Sequence, residues 1–183
     1  MTIDDRIRLV LPISQTVTAY HTPISREVFE ANYRIISATH SALFGKGLEY
    51  AAQAGPVVAR LRLLDEGRKD AIERKEFDRD GNPTDGGALA LLREIKRLTV
   101  ILVPGKDGWD MLPVDEAIRA GHIDAEEWSE VEAAIVFFTC PCQMARRQVR
   151  KAVADAVSSV MGGSVTSLEL TEWIASLPKS TAV

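Results

Sequence analysis

The loop from Glu76 to Gly87 gathers hard oxygen ligands spaced much like a calcium loop. With Gly81 placed at the sixth position of such a loop, Glu76, Asp78 and Asp80 fall at the first, third and fifth, where calcium is coordinated. The twelfth position is then Gly87 instead of a bidentate Glu, and the eighth is Pro83, so the spacing fails where it matters most. The loop therefore reads as solvated, with Asp and Asn side chains bonding their own backbone. Cys140–Pro141–Cys142 places two thiols one residue apart. A structural zinc site needs four ligands, and His21, His40 and His122 show no ligand spacing. The pair also lacks the two-residue spacer of a redox motif, so it reads as two small, partly buried thiols. No metal ligand set and no cofactor are expected. Catalytic signatures are missing as well: there is no GxSxG, HExxH or GxxxxGK[ST]. His40 and Ser41 are adjacent on a helix, where their side chains diverge. No catalytic residue is assigned, and the chain reads as a non-enzyme.

A basic cluster, Arg146, Arg147, Arg150 and Lys151, lies on the segment Gln143–Met161. It reads as a solvated face, or as the counterpart of Glu126, Glu127, Glu130 and Glu132, with contact to an acidic partner or nucleic acid as the functional alternative. The net charge of -4 and a pI near 5.5 exclude a general nucleic-acid binder, which needs a basic surface. The longest apolar run, Ala133 to Phe138, is too short to span a bilayer. The first ten residues carry acids and no apolar signal core, and the cysteines form no disulfide framework. These features predict no secretory leader, no membrane partner and a reducing cytoplasm.

The elements that would position these groups are mostly helices. Ile7 to Thr18, rich in β-branched residues and interrupted by Pro12, predicts one or two extended pieces at a sheet edge. Ser25 caps a predicted helix that runs to Gly45, with Val28, Asn32, Ile35 and Thr39 on one stripe. Phe29, Tyr33, Ile36 and Leu43 lie on the next stripe. Gly55–Pro56 restarts a helix whose buried stripe is predicted to be Val57, Leu61 and Leu64. Asp65 to Phe77 continues it as a charged, solvated stretch. Leu91, Leu92, Ile95 and Leu98 mark a further helix. Thr99 to Val103, a turn over Pro104–Gly108 and a return over Trp109–Val114 predict a β hairpin. Asp115 is the predicted cap of a short helix. Asp124 with Glu127 forms a capping box for the next, which repeats Trp128, Val131, Ile135 and Phe138. Pro141 is expected to break or start an element. Gln143 to Met161 follows with Val149, Val153, Ala156 and Val160 on one face. After Gly162–Gly163 a last helix carries Leu170, Trp173, Ile174 and Leu177. The expected fold class is mainly α: a helical domain with a small antiparallel β hairpin or sheet over 1–163, and a hinged C-terminal helix over 164–183.

Several segments carry a resemblance: IISATHSALFGKG (Ile35 to Gly47), GPVVARL, RLTVILVPGKDGWDMLPVDEAI, IVFFTC and SVTSLELTEWIASLPKST. They are spread along the chain from Ile35 to Thr181, and with them it resembles the tail assembly chaperones of long-tailed (siphovirus-like) bacteriophages and their prophage copies. Cys140–Pro141–Cys142 is not part of that pattern. The resemblance implies a non-enzymatic chaperone that binds the tape measure protein, a very long helical chain, and helps recruit tail tube protein. It implies action in the cytoplasm of the host bacterium and absence from the mature virion. It also implies a longer second form made by ribosomal frameshifting, for which Leu177–Thr181 would be the natural junction. Homo-oligomerisation is compatible with such a role. A helical client calls for apolar grooves between helices and an acidic exterior. The expected partner-binding residues are Leu170, Trp173, Ile174 and Leu177, with any exposed part of Val149 to Val160. The runner-up is a structural virion component of tail or neck. A third reading, a small hydrolase, would require a deep polar pocket holding His21, His40 or His122.

Overall fold

The computed structural model describes residues 2–3, 8–106, 108–160, 162, 164–165 and 170–176. In chain order the elements are β1 (Thr2–Ile3), β2 (Leu9–Pro12), β3 (Thr18–His21), α1 (Arg26–Ala31), α2 (Tyr33–Phe44), α3 (Leu48–Arg74) and α4 (Gly86–Arg97). They continue with β4 (Thr99–Gly105), β5 (Gly108–Pro113), α5 (Val114–Arg119), α6 (Ala125–Met144), α7 (Arg150–Val160), β6 (Ser164–Val165) and α8 (Leu170–Ser176). Helix dominates, as the sequence predicts, and of the two expected β forms, hairpin or small antiparallel sheet, the chain builds the sheet. The strand order is β5-β4-β3-β2-β1-β6, with β2 to β5 forming a four-stranded antiparallel body. The N-terminal strands are therefore interior, not at an edge: β3 lies between β2 and β4, and Pro12 closes β2 opposite Thr18. β5 is one edge.

The period-2 alternation of strands sorts the sheet residues into two faces. One cross-strand row, Leu11–Ala19–Ile101–Leu112, packs with the helices in the main core. The intervening row carries Val10, Tyr20 and Val100, which join Leu102 and Trp109 in a second cluster on the outer face. Ile174 of α8 packs against this outer cluster. The hairpin between β4 and β5 continues past the predicted turn, so that Pro104 pairs with Trp109 and Gly105 with Gly108.

A third row on the helix side brings His21 opposite Thr99. Thr99 Oγ1 donates to the Ile95 carbonyl at 2.8 Å, so it accepts from His21 Nδ1–H at 2.9 Å. Nε2 is left buried with no hydrogen-bond partner among the described residues. The surroundings favour the neutral ring, and burial drives the His21 pKa down to about 3.

Ser25 caps α1 as predicted, accepting from Val28 N–H, but the helix does not run on to Gly45. It breaks at Asn32, whose side-chain amide turns back to the Val28 carbonyl, and α2 restarts at Tyr33. In α3, Gly55 adopts φ 74° and kinks the helix, and Pro56 begins the straight part. Of the predicted stripe of α3, Leu64 packs against the core, but Val57 and Leu61 point to solvent, and the fully buried line is Ala59, Leu63, Gly67 and Ala71. Small residues win because α3 packs on α2, α4 and α6 together. A Cβ on Gly67 would come within 2.5 Å of Ala88 Cβ on α4.

Three other expectations are corrected. Asp115 makes no cap bond and instead pairs with Lys96 across to α4. Pro141 lies inside α6, in its last turns, and its carbonyl accepts from Ala145 N–H. The helix predicted from Gln143 is α7, which begins at Arg150 and buries Ala154, Val157 and Ser158. Val149, Ala156 and Val160 are exposed, so the buried face is rotated from the predicted one. The Asp124–Glu127 capping box forms as predicted, with Asp124 Oδ1 accepting from Glu127 N–H at 2.8 Å and Glu127 Oε2 accepting from Asp124 N–H at 2.8 Å.

Two measurements test this packing. Gly67→Ala gains helix propensity but must push α4 away, so it is expected to lower stability by about 1–2 kcal/mol in urea unfolding. Ala88→Gly in the same chain should relieve the clash and show positive coupling. For His21, the unfolded ring takes up a proton below its ordinary pKa of 6.5, while the folded ring stays neutral until about 3. Stability should therefore fall as pH drops through that window, by about 1.4 kcal/mol per pH unit from this group. His21→Leu should flatten the slope between pH 6.5 and the onset of carboxylate titration.

Candidate functional site

The described chain presents one apolar groove rimmed by acids, and it lies between α3 and α6. Its floor and walls come from Leu11, Pro12, Ile13, Pro56, Val57, Val131 and Ala134, around a cavity of about 360 Å³. It continues into a second hollow of about 250 Å³ lined by Val57, Arg60, Leu61, Ser129 and Ala133. Val57 and Leu61, one turn apart on α3, form the ridge between and beside the two hollows, and they are 61% and 57% exposed. Two branched aliphatic residues thus stand in water side by side on one ridge. The α6 side of the groove carries Glu126, Glu127 and Glu130. Glu127 is engaged in the capping box, whereas Glu126 and Glu130 are exposed and make no ion pair among the described residues.

One part-buried ion pair ties α3 to α6 beside the groove. Arg60 Nε of α3 donates to Glu132 Oε2 of α6 at 2.6 Å, and the Glu132 side chain is only 7% exposed. Glu132 thus turns inward while Glu126 and Glu130 stay at the rim. The predicted match between these acids and the basic cluster does not form through Glu132, which is committed to Arg60. α6 itself is buried on nearly every side from Val131 to Cys142, including Phe137 and Phe138. That burial fixes where the rim acids sit.

The residues expected to bind a partner fall elsewhere. Ile174 packs against the outer-face cluster of Val10, Tyr20 and Leu102. Leu170 and Trp173 belong to α8, but their side chains, and the whole of Leu177, lie outside the described residues. Val149 and Val160 are exposed, 48% and 36% respectively, on either end of α7. Sequence reasoning misses the groove because it places Val57 and Leu61 in the core. The signal that locates them is the i, i+4 line Ala59–Leu63–Gly67–Ala71, three of its four residues small, which takes the buried side of α3 and leaves Val57 and Leu61 outward.

The other chemistry-bearing groups are spread through the fold. Asp78 Oδ1 accepts from the N–H groups of Asp80 and Asn82, both at 2.9 Å, so the acidic loop bonds its own backbone as expected. Backbone donation also holds the Asp78 carboxyl below its ordinary pKa. Cys140 and Cys142 are buried free thiols, and desolvation pushes the pKa of each up to about 12. His21 is in the sheet, His40 stacks on Phe44 within α2, and His122 is exposed just before α6. Burial lowers the His40 pKa. None of the three histidines lines the groove. No helix among the described residues is long and apolar enough to cross a membrane.

Comparison with protein-family models, curated proteins and solved structures gives no match to this chain.

The Arg60–Glu132 bridge can be tested by removing one partner. Arg60→Met would strand a buried carboxylate and is expected to cost about 3 kcal/mol in urea unfolding. The double change Arg60→Met with Glu132→Leu should recover most of that loss, because a packed apolar pair replaces a paired charge.

Proposed function

We propose that this chain is an assembly chaperone that holds an amphipathic helical segment of its client in the α3–α6 groove. The observation that carries this reading is the exposed Val57–Leu61 ridge set against Glu126 and Glu130. An apolar slot between two helices accepts the apolar face of a third, and rim carboxylates favour a client helix with Lys or Arg flanking that face. The reading needs no cofactor and no catalytic group. The sequence resemblance to tail assembly chaperones names the client as the tape measure protein, with tail tube protein as a further partner. α8, with Ile174 against the outer sheet face, is then a second and separate contact region, and Leu170, Trp173 and Leu177 stay with it as proposed contact residues.

The test is co-expression of the tagged chain with the tape measure gene of the same genome. A soluble complex is expected, with the tape measure protein insoluble alone. Val57→Glu with Leu61→Glu should abolish the solubility gain while changing the stability of this chain by no more than about 0.5 kcal/mol, since both sites are exposed. A soluble complex that survives the double substitution would remove the groove assignment. The absence of any complex, together with recovery of the chain in purified virions, would replace the chaperone reading with that of a tail or neck component.

A further inference from the structure

At the far end of α6, about 20 Å from the groove along a helix rising about 1.5 Å per residue, a second cavity has the opposite electrical character. It measures about 420 Å³ and is lined by Pro23, Ile24, Arg26, Phe29, Glu30, Gln143, Arg147 and Arg150. Three guanidinium groups face one carboxylate, and that carboxylate is already used: Glu30 Oε1 accepts from Arg26 Nε at 2.6 Å. Arg147 and Arg150 are left without an ion-pair partner among the described residues. Arg150 is the more telling of the two. It is half-buried, and its Nε is shut off from solvent with no hydrogen-bond partner among the described residues. A guanidinium donor withdrawn from water and left unbonded is costly, and an anion bound in the cavity would satisfy it. Lys151, the fourth member of the basic cluster, turns away to Asp155 on the next turn of α7.

The walls define the rest of the ligand. Gln143 is fixed by donation from its Nε2 to the Ile24 carbonyl at 3.3 Å, which ties the end of α6 to the segment before α1. Pro23, Ile24 and Phe29 give an apolar side opposite the arginines. Arg150 opens α7, so the positive end of an eleven-residue helix adds to the same field.

We propose that this cavity binds a small oxyanion, with a phosphate or carboxylate head held by Arg147 and Arg150 and an apolar body against Phe29 and Ile24. Planar guanidinium forks suit both heads, because each offers two oxygens at matching spacing. The site is independent of the groove and does not rest on the chaperone reading.

Calorimetric titration of the full chain at low ionic strength tests this, with inorganic phosphate and citrate as separate probes. Saturable binding with a dissociation constant near or below roughly 1 mM is expected for at least one of them. Phosphate alone would assign a phosphate ligand, and citrate alone a carboxylate. Arg147→Gln, at an exposed position, and Arg150→Gln should each weaken binding by about tenfold or more, as loss of a charge-assisted hydrogen bond does. Added chloride should weaken it in the unmodified chain. Absence of saturable heat with both probes would overturn the proposal. So would affinity unchanged in Arg147→Gln, a variant whose fold is not at risk.

Discussion

Close contact between α3 and α6 sets the geometry of everything else in this protein. α6 is sheathed on nearly every side, with Phe137, Phe138 and Ile135 essentially inaccessible. Burying each such side chain contributes about 1.5–3 kcal/mol, so α6 has no freedom to roll. α3 packs on α2, α4 and α6 and buries the line Ala59, Leu63, Gly67 and Ala71, with Gly67 so close to Ala88 of α4 that a side chain there would collide. Once that line faces inward, Val57 and Leu61 must face outward. The groove follows from a packing choice made on the opposite side of α3.

The same rigid helix separates two surfaces of contrasting sign. Near its start it displays Glu126 and Glu130 beside an apolar slot. Near its end Gln143 anchors a cavity in which guanidinium groups predominate. The net charge of -4 conceals this division, because a sum over the chain says nothing about where each sign is gathered.

What the sequence makes legible is what short-range chemistry decides. The β4–β5 hairpin is announced by β-branched residues and a Gly-rich turn, the capping box by Asp124 and Glu127, and the cap of α1 by Ser25. The helix-dominated class with a small antiparallel sheet follows from the same signals. What stays illegible depends on distance between elements. Both Val57–Leu61 and Ala59–Leu63–Gly67 run at helical spacing, and apolar periodicity favours the larger residues. Only the closeness of Ala88 to Gly67 decides between them. The face of α7 misleads as well: Ala154, Val157 and Ser158 are inside while Val149 and Val160 are out. Pro141 reads locally as a helix breaker. It is accommodated within α6 because the core holds the last turns in place around it. The candidate site is thus hidden by the same ambiguity that hides the helix phase.

The β5 edge of the sheet bears on how copies of this protein coexist. β5 carries unpaired backbone groups along its outer side, the ordinary template for runaway strand-to-strand stacking. It is only six residues long and ends in Pro113, which offers no N–H, and the Asp110 carboxylate leans over Gly105 at the hairpin end, where a Cβ would meet it at 2.5 Å. A neighbouring strand would therefore meet a negative charge and a missing donor within a few residues of each other. A short edge strand that ends in proline is a poor template for a further strand.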